Sequence, residues 1–245
     1  MPSRDGTRDT AIAFGSKILL LLFGIGVQSG LAWWLGPEGR GSYAVCLMFA
    51  VLLSAAFTLG VDRAGQYYMA SGKKAADTAV WSMTAALLIG SGGAVAVGWG
   101  IMQFEFAFLS RADSSSFALS LALIPLFTLH NAFVMILVGR RQLGRAGRAT
   151  VLNVCVHLVA TFALVFLLDH GVNGALGAVL IANASSVSLS AAYLARDRVL
   201  RFCRIGVSDI RDLLSYGLRF FVAKMSNLVQ FRIGVLIVAF FVPAV

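Results

Sequence analysis

The sequence predicts an all-α, polytopic membrane protein with about seven spanning helices, and three observations carry that reading. Of its 245 residues 59% are hydrophobic and only 13% charged, where an ordinary soluble domain carries roughly 25% charged residues. A mean hydropathy of +0.85 leaves more apolar surface than water can face. The apolar residues fall in runs close to the roughly 20 residues that cross a hydrocarbon core, and a chain in lipid must satisfy its backbone internally as helices. Finally, most of the basic residues fall at the N-terminus and in every second break between those runs.

Taken in order, the expected spans are 10–35, 42–62, 78–103, 116–139, 149–168, 174–195 and 213–242. The first is retained rather than a cleaved leader, because the run from Ile18 to Leu35 is long and lacks a small-residue cleavage pattern. Glycine, proline and charge mark the breaks, which read "GPEGRG" at 36–41, "RAGQYYMASGKKAAD" at 63–77 and "FEFAFLSRADSSS" at 104–116. The later three are "GRRQLGRAGR" at 139–148, "DHGVNG" at 169–174 and "RDRVLRFCRIGVSDIRD" at 196–212.

Of the 20 Lys and Arg residues, fifteen lie in segments 1–17, 63–77, 139–148 and 196–212, on one side of an alternating topology. The other side holds only Arg40 and Arg111. By the positive-inside rule the N-terminus and the loops after spans two, four and six face the cytoplasm. The net charge of +9 is thus mainly a topology signal and argues against nucleic-acid binding. Cys46, Cys155 and Cys203 are isolated, and no His, Cys and carboxylate set has metal-ligand spacing, so neither a disulfide framework, a metal site nor another cofactor is expected.

Several spans carry polar stripes at helical spacing: Ser54, Thr58 and Asp62; Asn153, His157 and Thr161; Asn183, Ser186 and Ser190. Lys17, Gly24 and Gln28 share a face of the first span. Close helix packing accounts for such stripes, since small and polar residues permit near approach and interhelical hydrogen bonds. His130 and His157 read as interior histidines with satisfied nitrogens rather than as ligands or proton relays. The ionisable residues within the seventh span are a different matter, because charge at membrane depth is costly and faces a polar interior. Arg219 can snorkel to the headgroups. Lys224 and Arg232 lie eight residues apart, about 12 Å along the axis. They either face an anionic ligand or pair with acids on neighbouring helices, of which Asp62 is one.

The first span, "GSKILLLLFGIGVQSGLAWWLGPEGRGSYAV", is echoed by the seventh, "YGLRFFVAKMSNLVQFRIGVLIVAFFVPAV". Such an echo is expected of two related bundles with a site between them. The stretch "WLGPEGRGSYAVCLMFAVLLSAAFTLGVDRAGQYYMA" resembles the polysaccharide-biosynthesis, Wzx-like flippases of the multidrug/oligosaccharidyl-lipid/polysaccharide (MOP, MATE-like) exporter superfamily. Their "LGPxxxGxY" exit loop is matched by Leu35-Gly36-Pro37 with Gly41 and Tyr43, and their "LGLD" signature by Leu59-Gly60-Val61-Asp62. The stretches "GRRQLGRAGRATVLNV" and "HGVNGALGAVL" are similar too.

The resemblance implies two bundles of six helices around a central cavity. It implies alternating-access movement of lipid-pyrophosphate-linked oligosaccharide across the bacterial cytoplasmic (inner) membrane, with no enzymatic step. Polymerase and chain-length machinery are the partners it brings with it. Cavity cations on the first, second and seventh helices then hold the pyrophosphate, and Lys17, Arg63, Lys224 and Arg232 are the candidates. Gln28, Asp62 and Asn227 are the accompanying polar groups. The expected division is a six-helix bundle at 1–195, a basic linker at 196–212, and the first helix of a second bundle at 213–245, the rest of that bundle missing. One departure is Gly234, where many relatives carry an acid two positions after the arginine. Three other readings are a drug or metabolite exporter of the same superfamily, a fragment or subunit completed by a separate second half, and a membrane-embedded glycan enzyme. The adjacent pair Asp169 and His170 is the sole support for the last, and it reads as a solvated turn.

Overall fold

The computed structural model describes residues 4–72, 75–103, 113–199 and 206–241. The side chains of residues 4–13, 16–17, 19–20, 224 and 227–241 lie outside the description. Every described element is a helix: α1 (Arg4–Thr58), α2 (Val61–Ser71), α3 (Ala76–Gln103), α4 (Ser114–Gly139), α5 (Leu143–Thr161), α6 (Gly171–Arg196) and α7 (Val207–Phe241). A π-helical turn, Phe162–Leu167, continues α5. Five helical segments among the described residues are long and apolar enough to cross a membrane.

The longest of them, α1, is two helices. Gly36 breaks it with φ 67° and ψ −178°, and Pro37 follows. That backbone region is essentially reserved for glycine, and proline is well suited to the first turn of the helix that comes next. In an unbroken helix Gln28 and Arg40 would stand about 18 Å apart along the axis, beyond an arginine's reach. Yet Arg40 Nη1 donates to the Gln28 carbonyl oxygen. The chain therefore reverses at Gly36. Its two arms, together with α3, α4, α5, α6 and α7, make the seven long helices that the sequence predicts.

Two expected breaks are helical instead. The segment 63–77 contains most of α2, and α5 begins at Leu143 within the expected loop 139–148. Glycine misled the reading in both. Gly65, Gly144 and Gly147 are buried, so they permit close helix contact rather than ending a helix. The second span likewise stops at Thr58, because Leu59 (φ 46°) and Gly60 (φ 71°) form a left-handed turn that redirects the chain into α2.

Two apolar cores divide the bundle along its length. One gathers Leu31, Tyr43, Cys46, Phe117, Ile124, Val165 and Leu176 near the Gly36 turn. Its rim is closed by Ser116 Oγ donating to Asn173 Oδ1 at 2.7 Å and by Trp34 Nε1 donating to Asp169 Oδ1 at 3.4 Å. The other core gathers Val61, Met83, Phe133, Ile136, Leu194, Val199 and Leu213 at the opposite end. That second end brings together α2, the α4–α5 turn, the close of α6 and the start of α7, each of which carries arginine. Among the described residues, Arg63, Arg140, Arg141, Arg145, Arg148, Arg196, Arg198 and Arg211 thus belong to the elements of this one end.

At this basic end α7 touches the Leu59–Gly60 turn backbone to backbone. A Cβ on Gly60 would lie 2.3 Å from the Gly217 carbonyl oxygen, and one on Gly217 would lie 2.6 Å from that of Leu59. Next to this contact the ring of Tyr216 stacks on Tyr67, with centroids 4.4 Å apart and planes 17° from parallel. Leu213 is fully buried. Leu213, Tyr216, Gly217 and Phe220 recur at the three-to-four residue spacing of one helix face.

Candidate functional site

A cleft of about 570 Å³ opens along α1. Leu21, Ile25 and Ala32 supply apolar walls, and Gly24, Gln28, Ser29 and Arg40 supply small or polar ones. Gly24 and Gln28 share this face, as the eleven-residue spacing from Lys17 suggests. Gly24 has no neighbour within 4 Å of an added Cβ, so the groove is open at that position. Gln28 sits eight residues before the turn, about 12 Å along the arm. Arg40, four residues past the turn, reaches inward to the Gln28 carbonyl rather than outward. A guanidinium carries five N–H donors, so one bond to a carbonyl leaves donors for an anionic group in the cleft.

Arg40 was not among the residues that the sequence singled out. Its position in "GPEGRG" reads as an exposed loop charge on the sparse side of the topology. Only the reversal at Gly36 turns it back toward Gln28. Tyr43, of the same exit motif, is buried at 2% exposure.

Asp62 and Arg63 stand at the other end of the bundle. The second arm of 22 residues, 37–58, spans about 33 Å, so roughly 20 Å of bundle length separates Gln28 from Asp62. Asp62 is buried in the first turn of α2, where a carboxylate complements the positive end of the helix dipole. Arg63 is exposed, and its Nη1 donates to Gln66 Oε1 at 3.4 Å. The structure thus joins Gln28 to the cleft and keeps Asp62 and Arg63 apart from it. The side chains of Lys17, Lys224, Asn227 and Arg232 lie outside the described residues.

The interior polar stripes are split in character. Ser186 Oγ donates to the Ala149 carbonyl at 3.0 Å and Asn183 Nδ2 to Val179 at 2.8 Å, as packing predicts. On α5, however, Asn153 Nδ2, His157 Nε2 and Thr161 Oγ1 are buried without a hydrogen-bond partner among the described residues, as is His130 Nδ1 on α4. The expectation of fully satisfied interior histidines is not met at these nitrogens.

Electrostatics at the basic end centre on Asp197, which caps α6. Its carboxylate accepts from Gln142 Nε2 at 2.6 Å and from Arg145 Nη1 at 2.8 and 2.9 Å. Arg140 Nη2 stands 3.4 Å away, and the Arg145 guanidinium lies 5.4 Å from the Tyr193 ring centroid. The Gln142 amide first, and then Arg145, hold this carboxyl below its ordinary pKa. A carboxyl depressed in the folded state stabilises above its unfolded pKa, and the contribution is lost as pH falls through the folded value. The clamp should be intact at neutral pH and weaken only below about pH 4, the ordinary aspartate range. Thermal midpoints measured against pH should show this loss in the native chain. An Asp197→Asn chain should start lower at neutral pH and respond less to acid.

Comparison with known proteins adds a family and a fold. Residues 7–245 match the family described as "Polysaccharide biosynthesis protein". Among curated proteins no relative matches the chain. Among solved structures it is similar to a MATE protein in complex with Br-NRF, with 21% identity and a TM-score of 0.70 over 93% of this chain and 55% of that one. It is also similar to an outward-facing multidrug resistance MATE family transporter of the MOP superfamily, with 19% identity and a TM-score of 0.70 over 90% of this chain and 52% of that one. A MOP superfamily transporter from Pyrococcus furiosus, described as having a binding pocket of reversed polarity, aligns at 19% identity and a TM-score of 0.64, over 91% and 52% respectively. The fold is therefore MATE-like, and the chain spans about half the length of these structures.

Proposed function

The chain belongs to the polysaccharide biosynthesis protein family, and on that premise we propose that it serves a flippase moving lipid-pyrophosphate-linked oligosaccharide across the bacterial cytoplasmic membrane. The observation that carries this reading is the family match from 7 to 245 on a MATE-like helical bundle. Moving a large polar sugar with its phosphates through hydrocarbon calls for a hydrated cleft with cationic groups between two bundles. It calls for no covalent step. The division follows: a first bundle at 1–195, a basic linker at 196–212, and at 213–245 the first helix of a second bundle. The N-terminus and the basic end face the cytoplasm, following the positive-inside rule.

In this reading Lys17, Arg63, Lys224 and Arg232 meet the pyrophosphate at successive depths, with Gln28, Asp62 and Asn227 as polar companions. Arg40 joins them as a cation at the Gly36 end of the cleft. The test is export of surface polysaccharide in cells that depend on the protein. Lys224→Ala and Arg232→Ala should each lower export roughly tenfold or more, the worth of one charge-assisted contact to phosphate, with membrane insertion unchanged. Undiminished export in both variants overturns the cationic-cavity assignment.

Similarity to a multidrug resistance transporter favours a second reading, export of drugs or metabolites. Such a pocket is expected to be acidic and ion-coupled, whereas Asp62, Asp77, Asp113 and Asp169 all lie at the ends of their helices. Cation-driven dye uptake into vesicles distinguishes the two.

A further inference from the structure

Helices α4 and α6 end at the basic end in the same backbone motif. In α4, Gln142 N donates to Leu137 O and Arg141 N to Val138 O, both at 2.9 Å. In α6, Val199 N donates to Leu194 O at 3.1 Å and Arg198 N to Ala195 O at 3.0 Å. Each is a paired six-to-one and five-to-two termination, and such a motif places its first non-helical residue in the left-handed region, normally as glycine. Here both residues are arginine, Arg141 with φ 61° and Arg198 with φ 56°. A Cβ makes that conformation unfavourable, and two arginines bear the cost at matching positions.

Asp197 ties the two turns to each other, since Gln142, Arg145 and Arg140 all reach it from the α4–α5 turn. It is the only carboxylate in the stretches 139–148 and 196–199. Its bonds hold Arg140 and Arg145, while Arg141 and Arg198, one in each of the two joined turns, are exposed. Arg148 and Arg196 are exposed nearby in sequence and add to the positive field. Because α4 and α6 are apolar enough to span the membrane up to Gly139 and Arg196, the next residues stand at headgroup level. Guanidinium forks match phosphate oxygens in geometry and charge, and basic pockets between spanning helices are suited to anionic lipid heads.

We propose that Arg141 and Arg198, on two turns that the Asp197 clamp joins, form a binding site for the phosphate headgroup of an anionic membrane phospholipid. The site does not depend on what the chain transports. It gives a role to two left-handed arginines at positions where glycine is the usual residue.

The double variant Arg141→Gly/Arg198→Gly suits the test, because glycine is the residue that this backbone prefers and folding is not at risk. The purified protein is placed in nanodiscs of phosphatidylcholine containing phosphatidylglycerol, and the lipids retained on release are counted by native mass spectrometry. The native chain should retain phosphatidylglycerol in preference to phosphatidylcholine. The double variant should lose that preference by roughly tenfold to thirtyfold, with a thermal midpoint in neutral detergent equal to or above the native one. Millimolar inorganic phosphate should not displace the lipid. A preference that survives in the double variant overturns the proposal. So does equal retention of the two lipids by the native chain, or displacement by inorganic phosphate.

Discussion

A Gly60→Val substitution should destabilise the bundle by about 3 kcal/mol or more, a large part of a domain's total stability. Two penalties coincide at this position. Its φ of 71° is left-handed, and a β-branched residue there is a genuine outlier. Its Cβ would also meet the Gly217 carbonyl oxygen at 2.3 Å, and backbone cannot swing aside as a side chain can. Gly217→Val meets the same contact from the α7 side, at 2.6 Å from Leu59 O, without the penalty of a left-handed backbone. It should therefore be damaging but milder, and the double variant should cost less than the sum, because both changes open one contact. Thermal unfolding in detergent, followed by size exclusion, reads all three. A Gly60→Val chain that melts with the native protein would show that α7 does not rest on this turn.

Gly36→Ala should be the second severe change, at about 2–3 kcal/mol, because φ 67° with ψ −178° is accessible to glycine almost alone. The loss is local in cause and wide in effect. The reversal at Gly36 is what sets Arg40 against Gln28 and brings Tyr43 into the core near the turn. Gly41 in the same exit motif provides the control, since it lies in regular helix with nothing within 4 Å of an added Cβ. Gly41→Ala should be neutral or slightly favourable. Equal damage from the two substitutions in a stability assay would mean that the constraint of the motif is not the turn.

These two glycines show how unevenly structure is written in the sequence. Both belong to the motifs that carry the family resemblance, around Leu35-Gly36-Pro37 and Leu59-Gly60-Val61-Asp62, and both turn the chain through a left-handed backbone. Glycines at 65, 144 and 147 look the same in the sequence, yet they lie buried inside helices. Identity alone does not separate a glycine that turns the chain from one that lets two helices touch. The difference lies in the neighbour across the contact, which is remote in sequence.

The candidate site was legible in part. The shared face of Gly24 and Gln28 follows from helical period, and the structure places both on the cleft. Arg40 and Asp197 were not legible, because each acquires its role from a partner on another arm or turn. Arg40 reaches back to Gln28 across a reversal, and Asp197 gathers three side chains from a turn more than fifty residues earlier.

By itself the sequence determined that this is a multi-pass membrane protein of about seven long helices, and that its arginines collect at alternate breaks. Those features depend on composition and on periods along the chain, which hydrocarbon enforces helix by helix. Tertiary structure alone decided which glycines are turns, which arginine enters the cleft and which carboxylate clamps the basic end. Such choices depend on contacts between segments distant in sequence, and no local period encodes them.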